Sequence, residues 1–305
     1  MSRVPSVTPS NPASKCSLPT LIAYRGLRGL ERLLPPAPLR GLLWPFVAAA
    51  AFILALRIPR TNAARIAPLL RPGCPERPWQ WRRLVGNLYF RMATFWPDRL
   101  RSHRWRDRMR IEGLEPILKA RDGGTPVVFA TLHLNTLSLM RYLLRAHGIP
   151  AATLITNPSR NGLIRLRDED QDRVTHLGGI PHTFHTDDLR QAVAFLKSGK
   201  CLMVACDLGS PRSLRLATRQ GTLTVALGAF RLAQATGALL IPALTLQEDP
   251  WRFVTHIAPP VALPGNPETD EAFRPAAEQW IRELLPHLER FPSQYDPLNK
   301  GVWTP

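Results

Sequence analysis

Strand-like and helix-like segments alternate along the chain from about residue 109 onward. Short apolar, β-branched runs indicate strands, and apolar residues at intervals of three and four indicate amphipathic helices. The predicted strands are 109–111, 126–132, 151–156, 180–184, 201–206, 238–246 and 251–257. The predicted helices are 115–120, 134–144, 161–174, 187–197, 225–236 and 269–291. This alternation predicts an α/β fold with a mostly parallel sheet flanked by helices.

The run 126–132 is apolar throughout apart from Thr131, with no alternation. Strands covered on both faces have this pattern, so we expect a buried central strand. Apolar residues at helical spacing follow it, and His133 therefore falls where a parallel strand ends and a helix begins. Open α/β sheets place ligands and reactive groups at that edge. Ser138 lies about one and a half helical turns further on, within reach of the imidazole.

A second buried strand, 201–206, leads directly to Asp207. The carboxyl ends of parallel strands meet at one edge of the sheet, so Asp207 approaches His133 if the two strands are neighbours. The sequence therefore predicts Asp207 as a carboxylate partner for the histidine. The alternative is an aspartate that caps its own turn.

Three regions are predicted: a disordered segment 1–20, a helical membrane-associating and lead-in segment 21–108, and an α/β domain 109–305. Residues 1–20 are rich in Ser, Pro and Thr and lack apolar periodicity. Residues 21–34 form a basic amphipathic pattern typical of membrane-surface helices or of helices packed on a domain. The uncharged stretch 41–56 is shorter than the roughly 20 residues that span a bilayer. A membrane-dipping anchor is favoured there, with a buried core helix as the alternative.

The charge balance points to anionic partners. Lys and Arg total 40 against 23 Asp and Glu, which gives a net charge of +17 at pH 7. Such a surface attracts nucleic acid, an anionic membrane or an acidic carrier protein. No helix-turn-helix, zinc-finger or ribonucleoprotein motif is visible, so nucleic acid is supported by charge alone.

Metal, redox and nucleotide chemistry have little support. The four cysteines form no C-x-x-C pair. His182 and His185 are three residues apart in a predicted strand, which places them on opposite faces and argues against a shared metal. Neither a Gly-rich phosphate loop nor a G-x-S-x-G elbow is present. We therefore expect no metal and no cofactor.

The segment from His133 to Ser138 resembles the His-x4-acid motif of the glycerolipid acyltransferase superfamily, with a serine in the acid position. It is most similar to the late lipid A acyltransferases. Further resemblances are the uncharged anchor, the strand and turn 198–215, the Arg173 and Gly-Gly region, the segment 221–242 and the tail 291–303. Together they cover about residues 40–303.

The resemblance implies an enzyme of the bacterial inner membrane, on its cytoplasmic face. Such enzymes move a fatty acyl group from acyl carrier protein or a coenzyme A thioester to a lipid or amphiphilic acceptor. It implies His133 as general base, with Ser138 and Asp207 completing the catalytic set. The residues implied to contact substrate are Asn135, Arg173, Gly209, Arg212 and Arg215.

Two points stay open at this stage. Arg212 and Arg215 suit bidentate contacts to phosphate, but arginines in a solvated loop are the alternative. Because the motif carboxylate is replaced, a catalytically silent lipid- or acyl-carrier-binding relative is the alternative function. The implied partners are a carrier-bound or coenzyme A thioester and anionic membrane lipids, without nucleic acid.

Overall fold

A computed structural model describes residues 109–134, 137–155, 183–186, 189–208, 210–249, 252–265, 267–295 and 302–304, together with Pro45 and Ala49. The predicted segment 1–20, nearly all of segment 21–108 and the predicted helix 161–174 lie outside these residues. None of the helices within the described ranges is long and apolar enough to span a bilayer.

The described strands and helices follow the predicted order, with β6, β7 and β10 in addition. The strands are β1 Met109–Glu112, β2 Val127–Thr131, β3 Ala151–Ile155, β4 Thr183–His185, β5 Cys201–Ala205, β6 Ser213–Thr218, β7 Gly221–Ala226, β8 Leu239–Asp249, β9 Arg252–Ile257 and β10 Trp303–Thr304. The α-helices are α1 Glu115–Asp122, α2 Leu137–Ala146, α3 Leu189–Lys197, α4 Gly228–Thr236 and α5 Arg274–Arg290.

A seven-stranded sheet of order β1-β9-β8-β2-β5-β3-β4 forms the centre of the domain. Strands β8, β2, β5, β3 and β4 are parallel, whereas β9 runs antiparallel to β8 and pairs in parallel with β1. The predicted α/β fold with a mostly parallel, helix-flanked sheet is confirmed. Strand β2 lies at its middle and all five of its residues are buried. This position explains why the run shows no alternation of apolar and polar residues.

Helices cover both faces of the sheet. On one face Val128 and Ala130 of β2 belong to a core cluster with Trp280 of α5. On the other face Val127 and Phe129 pack in a cluster with Met140 of α2. The indole of Trp280 also donates a 2.9 Å hydrogen bond to the Ala130 carbonyl oxygen. Helix α5 is thereby fixed to the same strand that leads to His133.

A small antiparallel sheet, β10-β7-β6, was not predicted. The predicted helix 225–236 begins three residues late, at Gly228, because Val225 and Ala226 pair with β6 as part of β7. Arg215 lies in β6 rather than in a loop. The final helix also differs, since Asp270–Phe273 forms a 3-10 turn before α5 begins.

The turns that enter β2 and β5 touch each other at Gly124 and Gly199. Both glycines have positive φ, 66° and 76° respectively. A Cβ at Gly199 would lie 2.7 Å from the Gly124 carbonyl oxygen, whereas a Cβ at Gly124 would meet nothing within 4 Å. The close approach of the two strand starts therefore requires glycine at position 199 specifically.

We predict that Gly199→Ala destabilises the domain more than Gly124→Ala. Both variants force an L-residue into left-handed backbone, at a cost of about 1–2 kcal/mol. Only Gly199→Ala adds a backbone clash, and we expect at least about 1 kcal/mol of further loss. Urea unfolding of the two variants and the parent measures the difference. Equal losses in the two variants would contradict the proposed close packing of the turns.

Candidate active site

His133 and Asp207 lie side by side because β2 and β5 are adjacent and parallel. Thr131 pairs with Ala205 in the register of these strands, and each chain then continues two residues to His133 or Asp207. The Cys206 amide also donates to the Thr131 carbonyl oxygen at 2.8 Å, which extends the pairing past the strand ends. The shared carboxyl edge of the sheet thus brings together two residues 74 positions apart in sequence.

The Asp207 carboxylate binds both the backbone and the ring of His133. Its Oδ1 lies 2.6 Å from His133 Nδ1. The His133 backbone amide donates to Oδ2 at 2.9 Å and to Oδ1 at 3.1 Å. Because a carboxylate only accepts, we assign the ring proton to Nδ1, which leaves Nε2 able to accept a proton.

The two residues His133 and Asp207, called the dyad below, differ in exposure. Asp207 is fully buried, whereas 18% of the His133 side chain is exposed. A buried carboxylate is costly unless it is hydrogen-bonded, and His133 supplies that compensation. In return the carboxylate fixes the ring orientation and stabilises an imidazolium when one forms. The pair can therefore act as a general base toward a group that reaches the exposed ring.

The nearby thiols do not compete as nucleophiles. Burial raises the pKa of Cys206 well above its ordinary value, and the adjacent Asp207 charge raises it further. Burial likewise raises the pKa of the Cys201 thiol to about 12. Both side chains are therefore neutral near pH 7 and serve as small apolar core residues.

The tail after α5 reaches the dyad, a contact that sequence reasoning missed. Tyr295 forms an isolated antiparallel bridge with Leu134, the residue after His133. Tyr295 is fully buried. The sequence interpretation used the tail 291–303 only as part of a resemblance and gave Tyr295 no role. The local sequence offers one signal: an aromatic ring with a hydroxyl that stands among polar residues and prolines in 292–297.

The other predicted site residues make no described side-chain contact with His133 or Asp207. Arg212 and Arg215 are exposed, and within the described residues neither side chain is hydrogen-bonded or ion-paired to the dyad. Backbone pairing does hold their hairpin near Asp207, since the Ala226 amide donates to the Cys206 carbonyl oxygen at 2.7 Å. Three predicted residues and one side chain lie outside the described residues: Asn135, Arg173, Gly209 and the side chain of Ser138.

Of the two histidines considered for a metal, His185 alone lies within the described residues. His185 ends β4, whereas His182 lies outside the described residues. No group of three or more His, Cys, Asp or Glu side chains within the described ranges is arranged to hold a metal ion.

A second titratable cluster lies between β9 and α5. The rings of His256 and His287 stack with centroids 4.0 Å apart, and His256 Nδ1 lies 2.9 Å from a Glu112 carboxylate oxygen. The rings border a cavity of about 200 Å³. The other charged groups around the pair are Glu248, Glu283 and Arg290. Burial lowers the pKa of both histidines, that of His287 to about 4.

No protein-family model and no curated protein matches this chain. We therefore infer its chemistry from the dyad itself, from the burial and hydrogen bonds around it, and from the resemblance of the sequence motifs.

The His256–His287 cluster predicts acid sensitivity of the fold. The pKa of His287 falls from 6.5 to about 4 on folding, so the unfolded chain binds more protons between these values. The stability that His287 contributes is therefore complete above about pH 6.5 and declines as the pH falls toward 4. One pKa unit corresponds to about 1.36 kcal/mol, and half-burial of the ring reduces the effect, so we expect a loss on the order of 1–2 kcal/mol.

The measurement is urea unfolding at several pH values between 4 and 7 for the parent and His287→Gln. The variant loses ring stacking at every pH, which gives a constant offset, but its stability should fall less steeply with acid. Lys197→Gln, which changes an exposed side chain that keeps its charge between pH 4 and 7, serves as the control and should keep the parent slope. Parallel slopes for the parent and His287→Gln would show that His287 does not carry the proton uptake.

Proposed function

We propose that this chain is an acyltransferase that moves a fatty acyl group from a thioester to the hydroxyl or amine of a lipid or amphiphilic acceptor. The observation that carries the proposal is the 2.6 Å contact between His133 Nδ1 and Asp207 Oδ1 at the carboxyl edge of a parallel sheet. The resemblance of the segment 133–138 to the His-x4-acid motif supplies the reaction class. The donor is acyl carrier protein or coenzyme A.

In the proposed reaction His133 acts as general base. Nε2 takes the proton of the acceptor hydroxyl or amine as its oxygen or nitrogen bonds to the thioester carbonyl carbon. The tetrahedral intermediate collapses, the carbon–sulfur bond breaks, and the thiolate leaves. The imidazolium then returns its proton to the sulfur. No oxidation state changes in this step, and the proton removed from the acceptor ends on the leaving thiol.

Asp207 fills the role that the motif acid has in the resembled family. The acid position five residues after His133 holds Ser138, which carries no charge. Asp207 lies on the neighbouring strand instead and contacts Nδ1, the ring atom that does not react. It holds the tautomer and offsets the charge of the imidazolium. A carboxylate supplied from another strand thus replaces one supplied from the following helix.

We further propose that residues 21–108 associate with a membrane, at the cytoplasmic face of a bacterial inner membrane. The uncharged stretch 41–56 is flanked by arginines, which favours an interfacial anchor. The net charge of +17 suits both an anionic lipid surface and an acidic carrier protein. Arg212 and Arg215, exposed on the hairpin near Asp207, are the proposed contacts for donor or head-group phosphates.

The dyad predicts that His133→Ala and Asp207→Asn abolish acyl transfer. Loss of the carboxylate partner in a Ser-His-Asp site costs about 10⁴ in turnover, because the ring adopts the wrong tautomer. We expect a comparable loss for Asp207→Asn and at least as large a loss for His133→Ala. The measurement is thioester consumption together with mass detection of the acylated acceptor, using carrier-bound and coenzyme A donors with extracted lipids.

His147→Ala is the matched control and should keep parent turnover, because this exposed histidine lies four residues before β3, at the amino edge of the parallel strands, whereas the dyad lies at their carboxyl edge. Full activity in Asp207→Asn would rule out its catalytic role. A parent protein that binds acyl carrier protein or lipid without turnover would instead identify the chain as a catalytically silent relative. Release of free fatty acid without an acceptor product would identify a thioesterase and contradict the transfer proposal.

The membrane proposal predicts selective, salt-sensitive binding to anionic vesicles. Basic residues near an anionic surface contribute about 1 kcal/mol each, and salt screens this attraction. The full chain should float with phosphatidylglycerol-containing vesicles and not with purely zwitterionic ones. Binding to nucleic acid in preference to anionic vesicles at the same ionic strength would overturn this part of the proposal.

A further inference from the structure

Several contacts among the described residues hold the tail that follows α5 in place. The Gln294 side chain pairs with the backbone of Gln247, accepting from its amide at 2.8 Å and donating to its carbonyl oxygen at 2.6 Å. Tyr295 bridges to Leu134. Trp303 of β10 packs edge-on against the Tyr295 ring, with centroids 6.2 Å apart. Contacts made by residues before and after Tyr295 in the chain therefore fix its position beside the dyad.

Tyr295 brings a buried hydroxyl to the neighbourhood of Asp207. The residue has no exposed surface, and its hydroxyl does not reach any acceptor at full hydrogen-bonding geometry among the described residues. It is nevertheless close enough to be influenced by the carboxylate. Burial raises the pKa of Tyr295 well above its ordinary value, and Asp207 raises it further by its charge and as an acceptor. A buried hydroxyl without a partner is costly, so it gains from a slight approach to Asp207.

The carboxylate has room for one more donor. Among the described residues, Oδ1 of Asp207 accepts from the ring and from the backbone amide of His133, whereas Oδ2 accepts from that amide alone. A carboxylate offers about four lone-pair sites on its two oxygens. A donor on Oδ2 fixes the rotation of the carboxylate about its Cβ–Cγ bond, and that rotation sets the direction in which Oδ1 meets Nδ1.

We propose that Tyr295 is a positioning residue of the active site, whose hydroxyl donates to Asp207 and holds its carboxylate in line with His133. The residue touches neither the thioester nor the acceptor. It acts through Asp207, as the outermost member of a Tyr295–Asp207–His133 chain of hydrogen bonds. This inference rests on the proposed function for its catalytic consequence, but not for the hydrogen bond itself.

The decisive variant is Tyr295→Phe, which keeps the buried ring and removes only the hydroxyl. Trp303→Phe is the matched control, because it disturbs the same tail packing without removing a group next to Asp207. Two readouts are taken on the full chain: the proton resonance of His133 Nδ1–H, and the kinetics of acyl transfer. Urea unfolding of both variants confirms that they are folded.

We expect Tyr295→Phe to shift the His133 Nδ1–H resonance and to lower kcat about tenfold with the thioester KM unchanged, the effect of losing one charge-assisted hydrogen bond. Trp303→Phe should keep the parent resonance and kcat. A parent-like resonance in Tyr295→Phe, or an equal shift in both variants, overturns the inference. Because the resonance is independent of turnover, a parent without acyl-transfer activity refutes the proposed function alone.

Discussion

The pairing of β2 with β5 is the constraint on which the candidate site depends. It sets Thr131 opposite Ala205, and the two residues that follow each strand end then place a carboxylate under an imidazole. The backbone amide of His133 is part of the same interaction, so the carboxylate is tied to the main chain as well as to the ring. A slip of one residue would turn one of the two side chains to the opposite face of the sheet.

Burial of Asp207 has consequences for the groups around it. A fully buried charge is stable only with several donors, and the sheet edge supplies them without an arginine or a metal within the described residues. Its charge also keeps the neighbouring Cys206 thiol neutral by raising its pKa beyond the effect of burial. The chemistry of this edge is thus concentrated in one imidazole whose ring remains partly exposed.

The sequence predicts the parallel core better than the elements added to it. Buried strands such as β2 and β5 have apolar runs that are readable locally, and the turn residues after them mark His133 and Asp207. The hairpin β6–β7 was missed because its outward face carries arginine and its inward residues are few. Tyr295 was missed for another reason: its bridge to Leu134 joins residues 161 positions apart, and no local pattern encodes it.

The contacts of the tail can form only late in synthesis of the chain. Until the residues after α5 have left the ribosome, β7 lacks its β10 neighbour and Leu134 lacks its Tyr295 bridge. Residues 292–295 and 302–304 are the last described residues to be synthesised. A nascent chain that ends before these residues therefore has the His133–Asp207 pair without the Tyr295 contact beside it. The contact of Tyr295 beside His133 can thus form only after the described residues that precede the tail have been synthesised.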